Sequence, residues 1–310
     1  MRALDDTDLL EAFLQEEGTR VDAALSAAVE GLGGSLSEDL FGPIRHGVLA
    51  EGKRLRPILC VAAYRASLGH ARAEEVTPPA LYDLAAALEL VHAYSLMHDD
   101  LPCMDDAPLR RGQPTPHTVF GEAPTVLAAA FLIPAAARHA LRAATALGLD
   151  TRTSRGIVSD LVRAAGAGGM VGGQGLDLLG EGRRLSREEL DGLHRRKTGA
   201  LLMASLVLGA TAAGAGAAVQ GALRLYGSEI GLAFQIADDI LDATADAKAL
   251  GKNPSDLALE KSTYVSLLGV AVARVEAAQR VESACRALAS AGIPSPILHA
   301  LAHYVVARDR

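Results

Sequence analysis

The chain of 310 residues has no tryptophan, and its five phenylalanines and six tyrosines bring aromatics to only 4% of the sequence. Any core must therefore be built mainly of aliphatic side chains. Half of the residues are hydrophobic and 22% are charged, which supplies such a core and excludes a disordered chain. Cysteine is scarce as well. Cys60, Cys103 and Cys285 are too few and too scattered for a disulfide framework, and no Cys/His cluster has zinc spacing, so reduced thiols in a cytoplasmic protein are expected. Basic residues are in deficit, 30 Lys and Arg against 37 Asp and Glu, for a net charge of −7 without any long basic run. That excludes a general nucleic-acid or anionic-membrane surface, and any bound anion must be caught by local charges. The opening residues Met1-Arg2-Ala3-Leu4-Asp5-Asp6 lack the basic-then-apolar order of a signal peptide. A Pro/Ser/Gly-rich hinge is missing too, so one domain over residues 1–310 is expected, although about 150 residues per domain would suggest two. No fixed-period repeat occurs, which disfavours a solenoid.

Charge is absent from Gly199 to Leu223, longer than the roughly 18 apolar residues that flag a membrane span. Only Leu201 to Leu208 is strongly apolar and the rest is Ala, Gly and Gln220, so the segment reads as a buried core helix ending near Gly214 and Gly216, not a span.

What the sequence has in abundance is Ala, Leu, Glu and Arg, with apolar residues at three- and four-residue intervals, which predicts an almost entirely helical chain. Breaks are expected at Gly31 to Gly34, Pro78-Pro79, Pro102, Gly112 to Pro116, Gly166 to Gly175, Gly180 to Gly182, Gly251 to Pro254 and Gly292 to Pro296. The fold class is therefore all-α, a single large helical bundle.

Two acidic clusters sit where a bundle core should be apolar. His98-Asp99-Asp100-Leu101-Pro102-Cys103-Met104-Asp105-Asp106 closes an apolar helix starting near Leu81, and Phe234-Gln235-Ile236-Ala237-Asp238-Asp239-Ile240-Leu241-Asp242 lies within another. Burying carboxylates is costly unless a cation compensates. At about 100° per residue, Asp238 and Asp242 stand roughly 40° apart, with Gln235 on the same stripe. His92, Ser95 and Asp99 form a second polar stripe. Asp105 would lie about 240° from Asp99 on a straight helix, but Pro102 breaks it and lets Asp105 turn back. Hard oxygen donors without a His/Cys set suit Mg²⁺, which takes one or two protein carboxylates plus substrate phosphates. Basic groups at helix ends or beside glycines complete a diphosphate-sized charge pattern: Gly52 to Pro57, Arg110-Arg111-Gly112, Arg195-Arg196-Lys197, Gly251-Lys252 and Lys261-Ser262-Thr263-Tyr264.

The order and spacing of these motifs resemble the trans-isoprenyl diphosphate synthases, most closely the bacterial farnesyl diphosphate synthases, over about residues 40 to 270. The marks are Gly52 to Pro57, Asp99 to Asp105 with its two-residue insertion, Leu109 to Thr115, Gly172 to Asp177, Lys197 to Ala200, Asp238 to Asp242 and Lys261 to Tyr264. The resemblance implies a helical fold around a deep central cavity, a homodimer, and a soluble Mg²⁺-dependent prenyltransferase with both acidic motifs facing across the cavity mouth. It implies that Asp99, Asp100 and Asp105 hold two Mg²⁺ ions and that Asp238, helped by Asp239 and Asp242, holds a third. Arg110, Lys197 and Lys252 would grip the allylic diphosphate; Lys53, Arg56, His92 and Arg111 would grip isopentenyl diphosphate; Thr198 and Gln235 would line the reacting centre. Product length is set in the family just before the first motif, here at Tyr94 and Ser95, and an aromatic at Tyr94 resembles the farnesyl-making pattern. A geranylgeranyl diphosphate synthase is the alternative within the family. A catalytically silent partner subunit would have lost part of an acidic motif, and a class I terpene cyclase would not need Lys53, Arg56 and Arg111 for a second diphosphate.

Overall fold

A computed structural model describes residues 6–34, 36–69, 76–244 and 261–307. Fourteen α-helices are present among them: α1 (Asp6–Gly33), α2 (Glu38–Leu49), α3 (Leu55–Leu68), α4 (Pro79–Asp99), α5 (Pro116–Phe120), α6 (Glu122–Ala146), α7 (Thr151–Ala165), α8 (Met170–Gly180), α9 (Arg187–His194), α10 (Ala200–Ala212), α11 (Ala217–Thr244), α12 (Tyr264–Leu268), α13 (Val270–Ser290) and α14 (Pro296–Ala307). The expected all-α class is observed.

Local chemistry explains where these helices begin. Pro78 and Pro79 open α4, Asp150 accepts the Thr153 N–H at the start of α7, and Ser186 with Glu189, and Thr263 with Ser266, form reciprocal caps on α9 and α12. α4 and α10 form the middle of the bundle: Leu84 to Val91 of α4 and Leu206 to Ala210 of α10 are buried. One apolar cluster extends from Leu10 of α1 to Ala302 of α14, and a smaller one joins α9, α11, α12 and α13 around Tyr264. α10 and α3 approach so closely that a Cβ on Gly209 would stand 2.1 Å from the Cys60 carbonyl oxygen. The uncharged segment behaves as expected, with α10 ending at Ala212 and a turn at Gly214 (φ +76°) before α11.

Three features differ from the sequence expectation. The glycine run 166–175 is not a break throughout, since α8 starts at Met170 and carries Gly172, Gly173 and Gly175 inside it. These glycines serve contact across space: a Cβ on Gly173 would meet the Lys197 backbone nitrogen at 2.1 Å. Arg110 and Gln113 pair in a two-residue antiparallel hairpin, β1 (Leu109–Arg110) and β2 (Gln113–Pro114), turned by Arg111 (φ +53°) and Gly112 (φ +78°). Two left-handed central residues make a type I′ turn. Finally, α6, not the segment after Gly199, is long and apolar enough to cross a membrane, with 39% of its apolar window buried. Its inner face packs mainly on α4, while Val126, Leu127 and Leu141 are exposed.

Candidate active site

A cavity of about 1340 Å³ runs between α3, α4, α8, α11 and α14. α4 contributes Glu89, His92, Tyr94, Ser95, His98 and Asp99, so the predicted stripe of His92, Ser95 and Asp99 faces it. α11 contributes Phe234, Gln235 and Asp238. The two acidic motifs therefore open on one shared space. Between them in the lining stand Lys197 and Thr198, which belong to a π-helical turn, Arg195–Gly199, that links α9 to α10. The Thr198 hydroxyl donates to Gln235 Oε1 at 2.7 Å.

The first motif folds back as Pro102 requires: the Asp105 N–H donates to the Asp99 carbonyl at 2.9 Å. The Asp105 carboxylate lies 3.5 Å from Lys261 Nζ, which also reaches Asp177 at 3.2 Å and Glu181 at 3.6 Å. Asp177 in turn binds Lys197 Nζ at 2.6 Å. Burial raises the Asp177 pKa, but Lys197 and Lys261 more than offset this and hold it below the usual carboxylate range. Asp99 differs. Burial pushes its pKa up to about 6; Lys197 counteracts that in part, and the neighbouring Asp105 adds to it.

Two predicted acidic residues are committed to protein partners. Asp100 is buried and accepts from Arg110 Nε at 2.8 Å and Nη2 at 2.5 Å, so the carboxylate expected at the metals and the guanidinium expected on a diphosphate hold each other. Asp239 is buried and accepts the Tyr264 N–H at 2.6 Å, fixing the start of α12. Asp242, one turn beyond Asp238, is half-buried outside the cavity lining. Lys252 lies outside the described residues.

The basic residues gather in the same cavity. Lys53, Arg54, Arg56, Arg110 and Arg111 all line it. Lys53 Nζ stands 5.9 Å from the centre of the Tyr304 ring, and Arg111 donates to the Glu51 carbonyl. Burial lowers the Arg56 pKa to about 10, against the field of Glu89 and with that of Arg111. Burial and then the surrounding arginines push His92 well below its ordinary range, so it is neutral. Arg56 Nε, Glu89 Oε2, His92 Nδ1 and both amide atoms of Gln174 are buried without a hydrogen-bond partner. Buried donors and acceptors left in this state are the mark of a ligand site.

The donor set fits Mg²⁺. Asp99 and Asp238 both line the cavity, burial penalises the Asp99 carboxylate more than Lys197 offsets, and His92 stands among the arginines at the basic end. Among the described residues no three such side chains form a closed metal cage. Open, carboxylate-poor coordination of this sort is completed by phosphate oxygens.

Residues that sequence reasoning leaves unassigned also line this cavity, above all Glu89, Arg54 and Gln174. Arg54 and Gln174 lie within recognised motifs, whereas Glu89 carries only one signal: it precedes His92 by three residues on an otherwise Leu/Ala/Val stretch.

A helical bundle with a cavity that joins Asp99 and Asp238 to a set of arginines and lysines defines a short-chain prenyltransferase. Residues 37–291 match the Polyprenyl synthetase family, and the chain belongs to it. It is 43% identical to the farnesyl diphosphate synthase of Escherichia coli (strain K12), over 86% of this chain and 88% of that one. It is 41% identical to the chloroplastic geranylgeranyl pyrophosphate synthase of Catharanthus roseus, over 86% of this chain and 73% of that one. The crystal structure of geranyltransferase from Helicobacter pylori complexed with magnesium and isoprenyl diphosphate superimposes with a TM-score of 0.80 at 29% identity, covering 99% of this chain and 98% of that one.

Proposed function

We propose that this chain, as one domain over residues 1–310, condenses isopentenyl diphosphate head-to-tail with dimethylallyl or geranyl diphosphate and releases farnesyl diphosphate. The observation that carries this reading is that Asp99 and Asp238 line the same cavity as Lys53, Arg56 and Arg111. Such a space can hold two diphosphates at once, one through cations and one through guanidinium groups.

Asp99, Asp100 and Asp105 on one side, and Asp238 supported by Asp239 and Asp242 on the other, would hold three Mg²⁺ ions, which supply charge neutralisation to the allylic diphosphate as it leaves. Asp239 contributes by fixing α12 against α11, and Asp100 by orienting Arg110. Lys197 and Arg110, with Lys252 in family resemblance, add positive charge at the leaving group. Lys53, Arg56, His92 and Arg111 hold isopentenyl diphosphate so that its double bond faces the ionising carbon, which makes the attack effectively intramolecular. Ile58, Leu96, Phe234 and Val305 line the cavity and keep water from the carbocation. The released diphosphate takes the proton lost on forming the new double bond.

Tyr94 lines the cavity five residues before Asp99, with its ring 4.6 Å from that of His98. This supports Tyr94, with Ser95 beside it, as the stop that limits the product to fifteen carbons. A second copy of the chain would cover the exposed α6 stripe of Ala123, Val126, Leu127, Ala130, Pro134 and Leu141, giving the homodimer. The three free thiols Cys60, Cys103 and Cys285 fit the reducing cytoplasm.

The test is to incubate purified protein with dimethylallyl diphosphate, isopentenyl diphosphate and Mg²⁺, then to identify the alcohol after phosphatase treatment. Farnesol supports the reading. A cyclic hydrocarbon would make the chain a terpene cyclase, and no product would make it a silent subunit.

A further inference from the structure

Glu89 is a carboxylate inside an anion site, and nothing in the proposed chemistry uses it. It is 4% exposed and lines the cavity among Arg54, Arg56, His92 and Arg111. A buried acid beside a diphosphate repels the ligand, so its presence requires an offsetting role.

Its contacts identify one. Glu89 Oε1 accepts from Arg54 Nη1 at 3.1 Å, and Arg54 also donates to Asp22 at 2.8 Å and to the Ala50 carbonyl at 2.8 Å. Arg54 adopts left-handed backbone geometry (φ +47°, ψ +33°) directly before α3. Outside glycine that conformation is strained, so the side chain's three anchors must hold it. The anchored residue sits between Lys53 and two residues before Arg56, the cations of this motif. Glu89, on α4, thus helps to set the path of residues 51–54 where they enter α3. Its second oxygen, Oε2, is buried and unpartnered, and its field favours the protonated forms of Arg54, Arg56 and Arg111. Asp22 acts on Arg54, Asp238 on Arg56 and Asp100 on Arg111, but Glu89 is the carboxylate whose field reaches all three guanidinium groups and opposes their mutual repulsion.

We propose that Glu89 is a positioning residue for the isopentenyl diphosphate subsite, holding Arg54 and balancing Arg56 and Arg111 so that the basic loop stands ready before substrate arrives. This rests on the proposed function for the identity of the ligand. The gain from preorganised guanidinium groups exceeds the repulsion of one carboxylate because each group would otherwise have to be ordered during binding.

The test is Glu89→Gln, which preserves shape and removes charge. In steady-state assays the KM for isopentenyl diphosphate should rise about tenfold, while the KM for geranyl diphosphate and kcat stay within twofold. Calorimetric titration of isopentenyl diphosphate into Mg²⁺-free protein, with no allylic substrate, should show the same loss of affinity. That measurement reads the proposal even if the wild-type protein proves inactive and the proposed function fails. Glu89→Asp, which keeps the charge one methylene further back, should raise only the isopentenyl diphosphate KM, by about threefold or less, and serves if Glu89→Gln folds poorly. Unchanged or tighter isopentenyl diphosphate binding in Glu89→Gln, or parallel rises in both KM values, would overturn the role.

Discussion

The Asp105 backbone N–H donates to the Asp99 carbonyl, so the loop through Pro102 returns the second half of the first acidic motif to the end of α4. The motif is thereby gathered beside a cavity that it shares with Asp238. Asp99→Asn and Asp238→Asn, each nearly isosteric, should each lower kcat by about 10²-fold or more, the scale of removing a group that stabilises developing charge. Thermal melts should stay close to wild type. Turnover reduced less than tenfold in both variants would remove these carboxylates from the chemistry.

Asp177 joins Lys197 to Lys261 and, through it, to Asp105. Asp177→Asn should release Lys197 and cut kcat/KM for the allylic substrate by about tenfold to a hundredfold, since displacements near 1 Å are that costly. Isopentenyl diphosphate KM, read in the same assay, should change far less.

Tyr94→Ala should open the cavity and shift the product from fifteen carbons toward twenty. Chromatography of the dephosphorylated alcohols reads this directly, and an unaltered product distribution would defeat the stop.

His194 stacks on Tyr264, and both of its ring nitrogens lack partners. Burial brings its pKa down to about 4, Asp177 opposing and Lys197 assisting. The folded protein therefore keeps the neutral ring while the unfolded chain, with a pKa of about 6.5, takes up a proton first. Stability is fully present above about pH 6.5 and declines as pH falls toward 4, by about 3 kcal/mol in all from this group. His92, also lowered, acts in the same direction. Urea unfolding between pH 7 and 4.5 should show the decline, and His194→Phe should make it shallower; an equal slope in both proteins would exclude His194 as its source.

Leu127 is 61% exposed on α6. If the chain pairs through α6 as proposed, Leu127→Glu should leave it monomeric in sedimentation experiments, and a wild-type protein that sediments as a monomer would refute that interface.

Much of this site is readable from local order. Proline at 79 and 102 brackets an apolar run, so α4 and the return of Asp105 follow from sequence alone. The glycines at 172, 173 and 175 mislead because glycine that breaks a helix and glycine that admits a neighbour look identical until the neighbour, the Lys197 backbone, is known. Glu89 escapes notice for the same reason: its partner Arg54 lies 35 positions away, and a lone Glu among Leu and Ala reads as solvated. Asp100 and Asp239 look like their motif neighbours, yet Arg110 and Tyr264 claim them.

The Asp100–Arg110 pair also constrains anyone who would re-engineer this enzyme. Changing Arg110 alone strands the buried Asp100 carboxylate, whereas changing Asp100 alone leaves an Arg110 side chain that is 32% exposed and still reaches solvent. A library that varies both codons jointly can therefore reach matched substitutes that replacing Arg110 alone, with Asp100 left unpaired, does not.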